Sequence, residues 1–299
     1  HWRHNNAESV PLRCTANPEI SARIVSFMAS GTESRHSIIT LQAEAPRVLA
    51  TPVRRSRREE PRPFGDILYR SEKMVSVVAR ARHMAQSPAA ILLYGETGTG
   101  KELFAQSIHN ASTLAKGPFV AVNCGAIPKD LLESELFGYA PGAFTGAMRS
   151  GKSGLFELSH GGTLFLDEIT EMDFFLQTRL LRILQAKEVM RIGDNKVIPI
   201  NVRVIAATNR NPTEEVAAGR LRADLYYRLN VLDLKVPPLR DRQEDIPLLF
   251  NNFVRQYAKQ YATTAPKVAK DLQHWLSVYS WPGNVRELEN LAEKFIILR

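Results

Sequence analysis

The spacing of apolar residues changes twice along the chain, and each change marks a change of architecture. Up to about residue 65 the hydrophobic pattern is short and irregular. From residue 66 it becomes regular: an amphipathic helix is predicted around Glu72 to Ala85, followed by the apolar run AAILLYG, a helix from Lys101, and a second run FVAVNC. GGTLFLDE and VRVIAATN are further short apolar runs closed by polar residues, the pattern of parallel strands covered on both faces. Strands alternating with helices predict a doubly wound α/β layer, whose ligands gather beyond the carboxyl ends of its strands.

After LKVPPLRDR the strand pattern stops. Residues 244–261 read as helix, Leu272, Trp275, Leu276 and Tyr279 follow helical spacing, and Val285, Leu288, Ala292 and Phe295 trace another apolar stripe. Such stripes need a common core, so a small all-helical subdomain is expected to close the chain. The predicted organisation is a variable, poorly ordered arm or linker over 1–65, an α/β subdomain over 66–238 and a helical subdomain over 239–299.

Composition narrows the setting more than the function. The 299 residues are 44% hydrophobic, enough for one large or two modest cores. Lys plus Arg number 39 against 31 Asp plus Glu, a net charge of +8, which admits nucleotide, nucleic acid or acidic protein partners without choosing among them. Arg54, Arg55, Arg57, Arg58 and Arg62 stand among prolines and read as a solvated tether, from which salt-sensitive, sequence-indifferent nucleic-acid contact is the most that can be expected. Cys14 and Cys124 alone make neither a disulfide framework nor a zinc site, which favours a reducing, cytoplasmic setting. No apolar run approaches the roughly 20 residues that span a bilayer, so no membrane association is expected.

Chemistry first appears at GETGTGKE, where Gly95, Glu96, Thr97, Gly98, Thr99, Gly100, Lys101 and Glu102 follow a predicted strand and open a predicted helix. The spacing is that of a phosphate loop: glycines let backbone N–H groups turn toward phosphate oxygens, the helix N-terminus adds partial positive charge, and Lys101 reaches the β and γ phosphates. Glu102 stands where a Ser or Thr ordinarily ligates Mg²⁺, leaving the metal to other groups. TLFLDE can supply them. Asp167 and Glu168 emerge at the end of a buried strand, one to hold hydrated Mg²⁺ and the other to orient and deprotonate water.

Two more strand ends carry an amide each, Asn123 and Asn209. Either could cap a turn; beside a phosphate loop and paired acids, positioning water or sensing the γ-phosphate is the better reading. Arg222 and Arg228, six apart in RADLYYRLN, cannot both turn into their own phosphate loop as readily as one could face a partner. Guanidinium groups stabilise the charge of phosphoryl transfer, and a finger supplied in trans requires a ring. In GYAPGAFTGAMRSG, residues 138–151, an apolar Phe144 sits amid glycine, alanine and proline. Such a side chain on a flexible loop suits contact with another protein.

Taken together, GETGTGKE, ELFGYAPGAFTGA, GGTLFLDEI, VRVIAATN, RADLYYRLN, VPPLRDR and WPGNVRELEN make residues 66–299 resemble the AAA+ ATPase domain of bacterial enhancer-binding proteins, the activators of sigma-54 RNA polymerase. The resemblance implies an AAA+ P-loop α/β domain with a helical lid, an Mg²⁺-dependent ATPase, and a ring, in this family a hexamer. By that likeness Lys101 binds phosphate, Asp167 serves the metal, Glu168 serves the water, and Asn123 holds Glu168 back until the ring is ready. Asn209 with Thr208 matches the first sensor, Arg286 the second, and Arg222 and Arg228 the fingers. Gly142, Ala143, Phe144, Thr145, Gly146 and Ala147 match the GAFTGA loop that contacts sigma-54, so the holoenzyme is the implied partner and promoter DNA is met indirectly.

The chain departs from the family at Tyr69 and Glu72, where Gly and Pro are expected beside the adenine. No second helix pair follows the lid, so enhancer DNA is expected to be reached only through a helix-turn-helix that this chain does not contain. Two other classes share the catalytic residues: an AAA+ remodeller of another protein or of DNA, and a regulatory module that binds nucleotide without turnover.

Overall fold

A strand whose side chains alternate can feed two cores at once, and this organises most of the chain. The computed structural model describes residues 9–13, 21–27, 36–40, 64–144 and 150–298. The rest of the predicted arm, including the arginines of 54–62, and Thr145, Gly146 and Ala147 lie outside the described residues. In the unit His1–Val53, β1 (Ser9–Arg13), β2 (Ser21–Phe27) and β3 (His36–Thr40) form an antiparallel sheet in that order. Val10 pairs with Ile24, and Ile24 in turn with Ile39. The irregular apolar pattern there predicts no such strands.

In the unit Arg54–Arg299, α1 (Glu72–Ala85) precedes β4 (Ile91–Tyr94), α2 (Lys101–Asn110), β5 (Phe119–Asn123) and α3 (Lys129–Phe137). A hairpin of β6 (Gly138–Tyr139) and β7 (Lys152–Ser153) interrupts the alternation before α4 (Leu155–Leu158), β8 (Thr163–Asp167) and α5 (Phe174–Ala186). A second hairpin, β9 (Glu188–Met190) with β10 (Val197–Pro199), leads to β11 (Arg203–Thr208), α6 (Pro212–Ala217), α7 (Ala223–Leu229) and β12 (Leu232–Lys235).

Five strands make one parallel sheet in the order β12-β4-β11-β8-β5. Leu164 and Leu166 of β8 join one core with Leu92, Val204 and Ala206, while Phe165 joins the other with Ile91, Leu93, Ile205 and Ala207. Each buried aliphatic or aromatic side chain contributes about 1.5–3 kcal/mol, so these runs hold the sheet between its helical layers. Arg203 is buried at the start of β11 and donates to the carbonyls of Met84, Ala85 and Ala89, which fastens the C-terminal end of α1 to the sheet. From β4 the chain crosses to β5 at one edge of the sheet, whereas from β11 it crosses past β4 to β12 at the other, so the connections around β4 run in opposite directions. A crevice opens at such a point beyond the strand ends.

The lid consists of α8 (Asp245–Gln260), α9 (Lys270–Val278) and α10 (Asn284–Ile297) around Phe250, Val254, Leu276, Trp281, Leu288 and Ala292. Leu276, Leu288 and Ala292 are buried as their spacing predicts. Trp275 departs from the stripe: it is 42% exposed and stacks on Tyr279 at 4.8 Å between ring centres. Among the described residues no helix is long and apolar enough to cross a membrane.

Candidate functional site

The crevice at the end of β4 is built by the phosphate loop. Gly95 N–H donates to the Thr208 carbonyl at 3.3 Å and Val236 N–H to the Tyr94 carbonyl at 2.8 Å, so the loop leaves β4 between its two neighbours. Gly100 caps α2 with φ of 101°, a left-handed conformation that glycine adopts without a Cβ clash. The next residue, Lys101, is 8% exposed, and its Nζ donates to the carbonyls of Gly95 at 2.7 Å and Glu96 at 3.1 Å. Burial lowers the pKa of this ammonium, while Asp167 and Glu168 pull it up and Arg286 pulls it down. Two adjacent acids at the end of β8 and an arginine of α10 thus act on one lysine.

Asp167 ends β8 beside Asn123 of β5 in register. Its Oδ1 accepts from Glu168 N–H at 3.0 Å, and burial raises the carboxyl pKa against the opposing charge of Lys101. Glu168 does not continue the strand. It takes φ 53° and ψ 45°, a left-handed conformation that costs a residue with a Cβ about 1–3 kcal/mol and turns its carboxylate toward the β5 end. A Cβ on Gly125 would overlap Glu168 Oε2 and lie 3.4 Å from Asn123 Oδ1, so these two side chains face one another across Gly125. Asn123 Oδ1 accepts from Gly125 N–H at 2.9 Å and Ala126 N–H at 3.0 Å. Turn capping is therefore one of its roles. Cys124 is buried beside these acids and its thiol is pushed up to about 12, chiefly by desolvation.

At the end of β11 the Asn209 amide donates to Thr97 Oγ1 at 3.2 Å, and the buried Thr208 hydroxyl meets Thr170 Oγ1 at 3.1 Å. Asn209 and the phosphate loop are thereby brought together. Arg286, exposed in the first turn of α10, lies against the phosphate loop, where a Cβ on Gly98 would come within 3.2 Å of its own Cβ, and its charge acts on Lys101 and Asp167. Arg222 and Arg228 lie elsewhere: Arg222 pairs with Asp224 through Nε at 3.0 Å and Nη2 at 2.7 Å, and Arg228 Nη2 donates to the Leu184 carbonyl at 2.9 Å. Neither set of hydrogen bonds reaches the phosphate loop of the same chain.

The donor set suits Mg²⁺. That ion keeps several waters and takes one or two carboxylates together with substrate phosphates. Asp167 and the nearby Glu102, whose charge raises the Asp167 pKa, are the carboxylates at hand. Among the described residues no group of three or more His, Cys, Asp or Glu side chains is placed to hold a metal.

Several contacts around the crevice pair residues whose partners the motifs do not indicate. Arg240 binds Glu96 of the phosphate loop, Arg242 Nη2 donates to the Thr99 carbonyl at 3.0 Å, and Asp245 accepts from Ser71 N–H at 2.8 Å. A cavity of about 150 Å³ lies beside the loop between Ile67, Leu68, Leu103, Phe253 and Val285. Arg242 lines it, and its Nε is a buried side-chain nitrogen without a hydrogen-bond partner.

The loop of residues 142–147 springs from the β6–β7 hairpin. Ala140 N–H donates to the Ile192 carbonyl at 2.9 Å and Ile192 N–H to the Gly138 carbonyl at 3.0 Å, so the segment between β9 and β10 braces its base. Phe144 is 46% exposed, its ring centre 5.0 Å from that of Tyr139 in an edge-to-face arrangement.

Comparison with known proteins agrees with this geometry. Residues 67–235 match the sigma-54 interaction domain and residues 240–299 the AAA+ ATPase lid domain. Over 232 residues the chain is 51% identical to the transcriptional regulatory protein GlrR of Escherichia coli, covering 78% of this chain and 52% of GlrR. It is 43% identical over 293 residues to the phenol regulator MopR of Acinetobacter guillouiae, covering 98% of this chain and 49% of MopR. The crystal structure of NtrX from Brucella abortus in complex with ATP superposes with a TM-score of 0.73 at 36% identity, covering 78% of this chain and 50% of NtrX. The chain spans about half the length of GlrR, MopR and NtrX and 37% of a signal-transduction and transcriptional-control protein of Clostridium beijerinckii that it also matches. It belongs to the family of sigma-54-dependent transcriptional activators, with an AAA+ P-loop ATPase domain and a helical lid.

Proposed function

We propose that the chain hydrolyses ATP at the junctions of a ring, a hexamer by family likeness, and spends that energy remodelling the closed promoter complex of sigma-54 RNA polymerase. The observation that carries this reading is the convergence of Lys101, Asp167, Glu168 and Asn209 on one loop, in the same body as the half-exposed Phe144. Phosphate would be cradled by residues 95–100 and bound by Lys101. Asp167 would hold Mg²⁺, which when bound neutralises phosphate oxygens. Glu168 would orient the attacking water and accept its proton, with the amide nitrogen of Asn123 restraining the carboxylate between cycles.

Arg286 of the lid and Asn209 would sense the γ-phosphate, while Arg222 and Arg228 would reach the phosphate of the adjacent protomer. The work would leave through Gly142 to Ala147, whose contact is sigma-54 and not DNA. Such a protein acts in the cytoplasm, with polymerase. Thr145→Ala is expected to keep ATP hydrolysis and to abolish open-complex formation; an unaffected open complex would overturn the assignment and favour a remodeller of another target. The regulatory module without turnover is tested separately by Glu168→Gln, which should lower hydrolysis by about 10²- to 10⁴-fold relative to the parent chain while ATP still binds. A parent chain that binds ATP without hydrolysing it would favour that module.

A further inference from the structure

A carboxylate inside a phosphate loop is electrostatically adverse, because it faces the same anion that the loop must attract. Glu96 occupies that position, and both of its oxygens are committed to partners outside the loop. Arg240 Nη1 donates to Oε2 at 2.7 Å and Nη2 to Oε1 at 2.5 Å, while Asn284 Nδ2 reaches Oε2 at 3.1 Å. Arg240 comes from the turn Leu239–Asp241 that joins the sheet to the lid, and Asn284 is the first residue of α10. A bidentate guanidinium–carboxylate pair fixes orientation as well as distance.

The contact is part of a continuous seam. Asn284 is fully buried, its Oδ1 accepts from Leu239 N–H at 2.7 Å, and its Nδ2 also donates to the Thr97 carbonyl at 3.0 Å. Val285 N–H donates to the Gly98 carbonyl at 3.0 Å. A Cβ on Gly98 would overlap the Gly283 carbonyl, so only glycine allows the lid so close. Residues 96, 97 and 98 therefore each grip the lid, and Arg286 follows two residues after Asn284.

We propose that Glu96 and Arg240, bridged by Asn284, form a latch that holds the lid on the phosphate loop and so sets the position of Arg286 relative to bound phosphate. Glu96 and Arg240 are then positioning residues: neither touches the reacting atoms, yet both govern affinity through the lid. The proposal rests on the reading of this crevice as an ATP site. It makes a prediction of sign. If Glu96 were only a nearby negative charge, Glu96→Gln would tighten nucleotide binding and Arg240→Gln would weaken it. A latch makes both changes weaken it.

The test is a double-mutant cycle on the 299-residue chain, using a fluorescent ADP analogue for affinity and hydrogen exchange of the Val285 amide, without added nucleotide, for lid docking. Glu96→Gln and Arg240→Gln should each weaken binding by about fivefold and speed exchange at Val285, with the double variant no worse than the weaker single. Arg240→Lys, which keeps the charge and loses the fork, should fall between parent and Arg240→Gln. Opposite affinity changes in the two single variants, or unchanged exchange at Val285, would overturn the latch. A parent chain that fails to bind the analogue would overturn the ATP reading instead, and the exchange measurement would still decide the latch.

Discussion

The side-chain amide of Asn209 donates to the hydroxyl of Thr97 at 3.2 Å, tying the end of β11 to the phosphate loop that leaves β4. Two adjacent strands of one sheet thus meet at a polar contact directly over the crevice. The geometry predicts that Asn209→Ala keeps ATP affinity near that of the parent but lowers kcat by about 10²-fold, the usual effect of removing one preorganised donor. Steady-state kinetics alongside direct ATP titration separates the two. Weakened ATP binding with kcat unchanged would assign Asn209 to binding alone.

Arg222 is held in its own chain by Asp224, and among the described residues none of its side-chain hydrogen bonds goes to the phosphate loop. If it serves the neighbouring protomer, Arg222→Ala should lower turnover by roughly 10³-fold without weakening ATP binding. Mixing Arg222→Ala chains with Lys101→Ala chains should restore part of the activity, because one supplies an intact phosphate loop and the other an intact finger. No recovery at any mixing ratio would remove Arg222 from the trans site.

His109 gives the fold a pH dependence apart from catalysis. The ring is 3% exposed, its Nδ1 lies 2.9 Å from Thr163 Oγ1, and its pKa is lowered to about 4, first by burial and then by the charge of Arg203. A folded pKa below the unfolded value near 6.5 means the neutral ring is favoured in the native state. Its contribution is complete above pH 6.5 and is lost as pH falls toward 4, by up to about 3 kcal/mol. Urea unfolding across that range should show a shallower loss in His109→Gln than in the parent, and parallel curves would exclude the histidine as the cause.

How much of this could be read beforehand depended on how far apart the interacting residues lie. Asp167 and Asn209 close short apolar runs and Lys101 opens the helix after another, and their elements appear where the spacing predicts them. Within β8, strand alternation sends Phe165 to one core and its neighbours Leu164 and Leu166 to the other. The same alternation fails at Glu168, because the chain there turns into a left-handed conformation that period-two spacing cannot express. The pairing of Glu96 with Arg240 spans 144 residues and that with Asn284 spans 188. Nothing local in either motif indicates those partners, which meet only once the lid is packed.

If ATP chemistry is handed to sigma-54 through Phe144, the chain trapped with ADP and aluminium fluoride should capture sigma-54, and the nucleotide-free chain should not. Phe144→Ala should still hydrolyse ATP yet capture none. Equal capture by Phe144→Ala, or capture regardless of nucleotide, would remove Phe144 from the path to sigma-54.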